Sequence, residues 1–256
     1  MRNYNAYLID LDGTMYRGDE RIEAAAEFIE ALYQKEIPHL FLTNNSAKTQ
    51  VQVAEKLQNL GIKAVPECVF TSSMATARYI KRQKKAARCF VIGEEGLCDA
   101  LEKENMTITD EAVDFVVVGI DRTVNYERLA KACLAVRNGA QFISTNSDVA
   151  IPTERGLIPG NGAITSVITV STGKEPIFIG KPEKIIMDEA LTSLGSSKDQ
   201  TLMVGDNYYT DILAGIHAEV DTLMVFTGVT PYEDFPKLDK KPTYHVQHLG
   251  EWIEKI

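Results

Sequence analysis

The chain contains 256 residues, of which 45% are hydrophobic and 25% are charged, and its formal net charge at pH 7 is -9. This length allows one large or two modest domains with a sizeable core. The negative charge and a pI near 5.1 argue against a polyanionic partner, so we expect neither a nucleic-acid polymer nor an acidic membrane surface as the ligand.

The first apolar segment begins within the first ten residues, which leaves no room for a signal peptide. No apolar run approaches the roughly 18 residues that span a bilayer. The four cysteines are widely spaced, without a C-x-x-C pair, and are expected to be reduced. These features predict a cytoplasmic protein.

Strand-like and helix-like segments alternate along the chain, which is typical of an α/β protein with a parallel sheet. A first series predicts strands at 7–9, 39–42 and 68–70 and helices at 22–32, 53–60 and 73–81. A second series predicts strands at 89–92, 115–119 and 141–145, helices at 97–104, 126–137 and 163–171, and a Gly/Pro-rich loop at 151–162. A third series predicts strands at 177–179, 201–204, 222–226 and 244–246 and helices at 183–194 and 211–217.

Two carboxylates follow the first predicted strand, in the run Asp-Leu-Asp-Gly-Thr that starts at Asp10. Side chains two apart on a strand face the same way, so Asp10 and Asp12 are predicted to project together from its carboxyl end. Ligands bind at that end of an open parallel sheet. Two neighbouring carboxylates repel each other unless a cation or a shared proton lies between them.

A hydroxyl and two amides follow the strand at 39–42, in Thr43-Asn44-Asn45-Ser46. Such groups at a strand-to-helix turn suit a phosphate oxygen. The alternative is a cap for the next helix, since Ser and Asn are favoured at that position.

A lysine and a second pair of carboxylates follow two later strands. Gly180-Lys181-Pro182 comes after 177–179, and Pro182 is predicted to start a helix, with Lys181 fixed near its N-terminus. Asp206 follows 201–204, and Asp211 is predicted to open the helix behind it. A structural role at the helix N-terminus is the alternative for Asp211.

Together, these four strand ends offer carboxylates, a lysine and a hydroxyl/amide loop. Carboxylate oxygens suit Mg²⁺, which keeps several waters and takes a substrate phosphate as a further ligand. Phosphoryl transfer needs an in-line nucleophile, a metal and cations at the phosphate oxygens. A carboxylate nucleophile makes an aspartyl-phosphate intermediate reasonable.

The ordered set D-x-D-G-T, T-N-N-S, G-K-P and G-D-N-x-x-T-D resembles the haloacid dehalogenase superfamily of phosphatases, in its NagD-like (p-nitrophenylphosphatase-like) branch. The resemblance spans essentially the whole chain. It implies a doubly wound, Rossmann-like parallel-sheet core with a smaller inserted α/β cap of the C2 type. It also implies a Mg²⁺-dependent phosphatase that acts on small phosphomonoesters such as sugar phosphates, nucleoside monophosphates or aryl phosphates.

The resemblance assigns the chemical roles. Asp10 would be the nucleophile and a Mg²⁺ ligand. Asp12 would protonate the leaving group and then activate water, while its backbone carbonyl binds the metal. Lys181 would neutralise the phosphate and the nucleophile.

The remaining roles concern phosphate and metal binding. Asp206 would be a side-chain ligand of the metal, and Asp211 and Asn207 would support the metal site from behind its ligands or through water. The phosphate oxygens would be held by Thr43, Asn44 and Asn45, together with Lys181.

The spacing of the motifs predicts where the cap is inserted. The interval between Asp12 and Thr43 holds only a turn and a helix, whereas that between Ser46 and Lys181 is far longer than one crossover requires. We therefore predict a catalytic core at 1–83 and 176–256 and an inserted cap at 84–175, which the resemblance implies to be the substrate-specificity domain. By resemblance, the specificity loop of the cap comprises Thr145, Asn146, Ser147 and Asp148.

Three other interpretations are less well supported. Carbon–halogen cleavage needs no acid for a halide leaving group, so Asp12 argues against a dehalogenase. The familiar sugar-phosphate mutases of the superfamily carry their cap in the short first interval. A non-catalytic sensor of phosphometabolites would not need the full set of chemical residues.

A homodimer formed through the cap is an open expectation from the resemblance.

Overall fold

A computed structural model describes residues 2–153 and 155–256; Met1 and Glu154 lie outside the described residues. The predicted α/β class is confirmed. The described strands are β1 (Ala6–Ile9), β2 (Tyr16–Arg17), β3 (Glu20–Arg21), β4 (His39–Thr43), β5 (Val69–Thr71), β6 (Arg88–Ile92), β7 (Thr107–Ile108), β8 (Phe115–Val118), β9 (Gln141–Ser144), β10 (Ala150–Thr153), β11 (Gly156–Pro159), β12 (Ile177–Phe178), β13 (Thr201–Gly205), β14 (Asp221–Val225) and β15 (Tyr244–Val246). The described α-helices are α1 (Ala25–Gln34), α2 (Gln50–Asn59), α3 (Ser72–Gln83), α4 (Glu95–Lys103), α5 (Tyr126–Arg137), α6 (Asn161–Thr172), α7 (Lys184–Leu194), α8 (Leu213–Ala218) and α9 (Gly250–Ile253).

The described chain divides into two compact units. The first comprises the residues up to Thr43 together with Val51–Phe70 and Lys181–Ile256, and the second comprises Asn44–Gln50 and Thr71–Gly180. The predicted cap, 84–175, falls within the second unit, which also takes in 44–50, 71–83 and 176–180. Its role as a substrate-specificity domain stays a prediction.

The first unit is built on a doubly wound sheet with the strand order β15-β14-β13-β1-β4-β5. From β1, the chain moves outward through β4 and β5 on one side, and through β13, β14 and β15 on the other. β1 is parallel to both neighbours, with Ile9 opposite Val204 of β13 and Phe41 of β4. The order therefore reverses between β1 and β13, which is where open α/β sheets bind ligands.

Alternation along the strands places a core on one face of this sheet. Tyr7 and Ile9 of β1 and Val204 of β13 pack into one buried apolar cluster. Helix α1 contributes side chains at helical spacing to the same cluster, including Phe28 and Leu32. This core anchors the strands whose carboxyl ends carry the site.

The second unit contains a parallel sheet with the order β12-β9-β8-β6-β7. The sequence grouped the strand at 177–179 with the core series, and this was wrong. β12 pairs with β9, with Ile177 opposite Ile143. Its two residues follow α6 and add an edge strand, so Lys181 begins the return of the chain to the first unit.

The Gly/Pro-rich stretch is also more ordered than predicted. Instead of a loop, it contains the antiparallel hairpin of β10 and β11, with Pro152 opposite Leu157 and Ala150 opposite Pro159. Proline is tolerated here because each strand of a two-stranded hairpin has one edge without a partner strand. A missing N–H on that edge removes no inter-strand hydrogen bond.

Two helix starts differ from prediction. Helix α7 begins at Lys184, with Glu183 as its N-cap, so Pro182 lies in the turn before it rather than in its first turn. Asp211 lies inside the π-helical turn Tyr208–Ile212, which leads into α8. Among the described helices, none combines the length and the apolar character needed to cross a bilayer.

Candidate active site

Two buried carboxylates lie where the order of the six-stranded sheet reverses. Asp10 directly follows β1, and its amide continues the ladder by donating to the carbonyl of Val204 at 2.9 Å. Asp206 directly follows β13. The two residues are 8% and 0% exposed, respectively. The strand ends thus hold two charges away from bulk water, in the position predicted from the sequence.

Lys181 joins this pair from the turn before α7. Its Nζ donates to Asp10 Oδ1 at 2.5 Å, to Asp211 Oδ1 at 2.7 Å and to the carbonyl oxygen of Leu42 at 3.1 Å. Only 2% of Lys181 is exposed. All three protons of the ammonium group therefore have partners, and the group links residues far apart in the sequence.

Asp10, Asp206 and Asp211 form a cluster that can hold a metal ion. Each offers one oxygen, and the three oxygens lie within 4.8 Å of one another. With all groups ionised, three carboxylates and the one ammonium of Lys181 leave a charge of -2. A divalent cation would balance this charge.

The electrostatics of the cluster follow from burial. Burial, reinforced by Asp211, raises the pKa of Asp10 well above its ordinary value, although Lys181 opposes the shift. Burial and Asp211 also raise the pKa of Asp206 to about 7. Burial disfavours the charge on Lys181, but Asp10 and Asp211 outweigh it and raise the pKa of the ammonium. Without a cation, the cluster is therefore short of positive charge.

The turn after β13 orients Asp211. Its Oδ2 accepts the backbone N–H of Asn207 at 3.0 Å, and Thr210 Oγ1 lies 3.2 Å from its Oδ1. The side chain of Asn207 caps the same turn, since Oδ1 accepts the N–H of Tyr209 at 3.0 Å. A Cβ atom at Gly205 would lie 2.3 Å from Asp211 Cβ, so glycine permits this approach.

The segment 227–230 after β14 was missed by the sequence reasoning. The backbone N–H of Val229 donates to Asp206 Oδ2 at 2.6 Å, and Thr14 Oγ1 donates to Oδ1 at 3.0 Å. Thr-Gly-Val-Thr follows an apolar strand, as the four recognised motifs do. Its position was therefore a usable signal, but the donor to Asp206 is a backbone group that no side-chain pattern reveals.

Asp12 lies outside the three-carboxylate cluster, and its projection beside Asp10 stays a prediction. β1 ends at Ile9, so the alternation of a strand does not extend to these residues, and Asp12 instead forms an isolated bridge with Tyr16. Its side chain is exposed, and it is absent from the three-carboxylate cluster. The surrounding protein nevertheless removes enough water to raise its pKa, while Lys56 and the Tyr16 hydroxyl oppose the shift.

Thr43, the last residue of β4, is buried beside Leu42, whose carbonyl oxygen binds Lys181. The next two residues belong to the second unit. There the Oδ1 of Asn45 accepts the N–H groups of Ala47 at 2.9 Å and Lys48 at 3.1 Å, which is a capping arrangement. It precedes α2 rather than forming the first turn of that helix.

Asn44 is bonded within the second unit to the predicted specificity loop. Its Nδ2 donates to both carboxylate oxygens of Asp148, at 3.2 and 3.3 Å, and its carbonyl oxygen accepts from Asn146 Nδ2 at 2.8 Å. Thr145 and Asn146 are buried, whereas Ser147 and Asp148 are partly exposed. Contact of this loop with a substrate stays a prediction.

Known proteins resemble this chain along its whole length. Residues 7–107 match the sequence model of the family described as haloacid dehalogenase-like hydrolase, and residues 178–252 match one described as HAD-hydrolase-like. The chain is 58% identical over 256 residues to the 5'-nucleotidase YutF of Bacillus subtilis, with 100% of both chains covered. It is 54% identical over 257 residues to an acid sugar phosphatase of Staphylococcus epidermidis, covering 100% of this chain and 99% of the other.

The solved structure of NagD from Escherichia coli K-12 is similar with a TM-score of 0.92 and 33% identity, covering 98% of each chain. The resemblance inferred from the four motifs is thereby confirmed. The chain belongs to the haloacid dehalogenase-like hydrolases.

Proposed function

We propose that the protein is a Mg²⁺-dependent phosphatase that hydrolyses small phosphomonoesters through an aspartyl-phosphate intermediate. The observation that carries the proposal is the buried group of Asp10, Asp206, Asp211 and Lys181 at the ends of β1 and β13. It combines a carboxylate nucleophile with an ammonium group and further carboxylates for a metal.

Mg²⁺ fits this group of residues. The donors are carboxylate oxygens, which this hard cation prefers, and they are few enough to leave places for water and phosphate. The cluster lacks two positive charges when ionised, and the pKa of Asp206 is raised to about 7, so a dication is favoured there. Asp10 and Asp206 would hold the ion, with Asp211 behind them. When bound, it supplies charge stabilisation to the phosphoryl group.

In the first step, a carboxylate oxygen of Asp10 attacks phosphorus, and the bond from phosphorus to the ester oxygen breaks. One Asp10 oxygen is already bonded to Lys181 at 2.5 Å, so the ammonium holds the carboxylate and favours its charged form. Asp12 gives its proton to the departing oxygen. The raised pKa of Asp12 suits this role, because a protonated carboxyl is needed near neutral pH.

In the second step, Asp12 takes a proton from water, and the water oxygen attacks phosphorus. The bond between phosphorus and Asp10 breaks, which releases inorganic phosphate and restores the carboxylate. Lys181 balances negative charge on the phosphoryl oxygens and on Asp10 in both steps. Thr43, Asn44 and Asn45 are proposed to hold those oxygens, and Asn207 to maintain the turn that carries Asp211.

The substrate class is proposed from the relatives and the resemblance. The names of two relatives refer to nucleotides and to sugar phosphates. We propose that this protein also takes small phosphorylated metabolites of these kinds, and aryl phosphates as test substrates. The loop from Thr145 to Asp148 in the second unit is proposed to help select among them.

The test is phosphate release from an aryl phosphate by the purified protein. We expect activity with Mg²⁺, its loss in EDTA, and a loss of at least about 10³-fold for Asp10→Asn, since the nucleophile is removed. Asp121→Asn is the matched control: Asp121 is also buried but bonds Arg128 and Thr123 in the second unit. It should lower stability while the folded fraction retains activity.

The outcomes separate the alternatives. Release that persists in Asp10→Asn would rule out the nucleophile assignment. Failure of the intact protein to hydrolyse any of a broad panel of nucleoside monophosphates, sugar phosphates and aryl phosphates, while binding them, would favour a sensor. Halide release from a haloacid would favour a dehalogenase, against which the proton-donating role of Asp12 argues.

A further inference from the structure

Asp206 is stabilised differently from the other two carboxylates of the cluster. Asp10 and Asp211 share the ammonium of Lys181, at 2.5 and 2.7 Å. Asp206 instead accepts hydrogen bonds from two neutral donors, the Thr14 hydroxyl and the Val229 amide. Neutral donors orient a carboxylate without cancelling its charge, so Asp206 keeps its attraction for a cation.

The segment 227–230 is itself attached to the other motifs of the site. Thr227 Oγ1 donates to the carbonyl oxygen of Gly13 at 2.7 Å. The N–H of Tyr208 donates to Thr230 Oγ1 at 2.9 Å. These bonds connect both ends of the segment to the turns that carry Asp10 and Asp206.

Two glycines allow the backbone to pack closely against the Asp206 carboxylate. A Cβ atom at Gly228 would lie 1.9 Å from Asp206 Oδ2 and 2.7 Å from Gly13 Cα. A Cβ atom at Gly13, where φ is +93°, would lie 2.3 Å from Asp206 Oδ2. Neither position has room for a side chain, so two glycines allow two backbone segments to close over one carboxylate.

We infer that segment 227–230 is a further positioning element of the metal site, and that it fixes the orientation in which Asp206 meets the divalent cation. Thr14 and Val229 each occupy one acceptor direction on a different oxygen, which leaves the remaining directions for the metal. The inference rests on the proposed function, because it assumes that Asp206 is a metal ligand. Loss of such outer partners weakens metal binding even when the ligand itself is retained.

The experiment measures Mg²⁺ affinity by calorimetry on the full chain without substrate, alongside the melting temperature in EDTA. Gly228→Ala pushes a methyl group against Asp206 and should weaken Mg²⁺ binding by at least about tenfold. Thr227→Val removes the bond to Gly13 and should weaken it severalfold, whereas Thr227→Ser should restore the wild-type affinity. Thr243→Val is the matched control, because its hydroxyl bonds Asp221 outside the cluster. It should leave Mg²⁺ affinity unchanged.

Weakened binding in Thr227→Val, with rescue by serine and a melting temperature in EDTA within about 2 °C of the wild type, supports the inference. Wild-type affinity in Thr227→Val overturns it, including when Gly228→Ala fails to fold. Absence of Mg²⁺ binding by the wild-type protein would overturn the metal site in the proposed function as well, so the two failures are distinguishable.

Discussion

Both parallel sheets carry buried polar residues where a strand ends, and the two sets differ in charge. In the first unit, the residues after β1 and β13 are Asp10 and Asp206, which join a cluster with Lys181. In the second unit, β9 ends in Ser144, and Thr145 and Asn146 follow it. All three of these side chains are neutral.

The neutral set is stabilised within its own unit. Asn161 Nδ2 donates to Ser144 Oγ at 2.9 Å, to Thr145 Oγ1 at 3.2 Å and to the carbonyl oxygen of Asn146 at 2.8 Å. Ser144 Oγ lies 2.9 Å from Thr165 Oγ1. These contacts need no external charge, whereas the acidic cluster does. A polar strand end therefore indicates a ligand site when its charges do not balance, and a structural network when its side chains are neutral and hydrogen-bond to one another.

Lys181→Met should produce the largest effect and would test this comparison most directly. It leaves Asp10 and Asp211 buried without their shared cation, which we expect to cost about 3–5 kcal/mol of unfolding free energy. Phosphatase activity should fall by at least about 10²-fold, because charge stabilisation of the phosphoryl group is lost. Urea unfolding in EDTA and steady-state kinetics measure the two effects.

Lys131→Met in the second unit is the matched control for that change. Lys131 also pairs with an aspartate, Asp110, at 2.8 Å, but both side chains are largely exposed. Solvent screening makes such a pair weak, so stability and activity should stay close to wild type. Equal losses in the two variants would contradict the distinction between a buried, unbalanced cluster and a solvated pair.

The pH dependence of stability should sharpen the contrast. Burial and Asp211 raise the pKa of Asp206 from 3.8 to about 7, so the folded protein holds this proton more tightly than the unfolded chain. In EDTA, the contribution of Asp206 to stability is complete below pH 3.8 and is lost as the pH rises towards 7. Asp206→Asn removes this titration, so its stability should fall less between pH 5 and pH 7.5.

Unfolding of the two proteins in EDTA and in Mg²⁺ at several pH values measures this difference. Mg²⁺ should reduce the loss in the wild type, because the cation favours the ionised cluster, formed by Asp206 with Asp10, Asp211 and Lys181. Parallel pH profiles for wild type and Asp206→Asn would show that the surroundings do not raise the pKa of Asp206 in the folded protein.

The sequence predicted that the charged groups converge, because their motifs follow apolar strands. Asp10 and Asp206 directly follow strands of one sheet, Lys181 and Asp211 lie in turns, and the structure brings all four together. Motif order and strand ends are sequence properties, so the convergence of these groups could be inferred without coordinates.

Other features could not be inferred because they depend on backbone and register. Val229 acts through its N–H, which every non-proline residue has, so nothing in its side chain marks it. β12 is only two residues long, and its apolar pattern would fit either sheet. Only its pairing with β9 shows that it belongs to the sheet of the second unit. Strand alternation does not relate Asp12 to Asp10, because the strand ends at Ile9, before both residues.

Apart from the control Lys131→Met, Asn161→Ala should have the smallest effect, and it probes the neutral network alone. It removes one amide donor from Ser144, Thr145 and Asn146. The Oδ1 atom of Asn161 has no hydrogen-bond partner among the described residues, so its removal also relieves a buried unpaired acceptor. The two effects oppose each other, and we expect a net loss of only about 1 kcal/mol.

Mg²⁺ affinity should not change in Asn161→Ala, because the side chains of this network are neutral and do not need a cation. Urea unfolding and calorimetric Mg²⁺ binding, carried out in parallel with Asp206→Asn, check both expectations. A weaker affinity in the folded Asn161→Ala protein would mean that the neutral network also supports the metal site. The contrast between charged and neutral strand ends would then have to be abandoned, since both would serve the same ion.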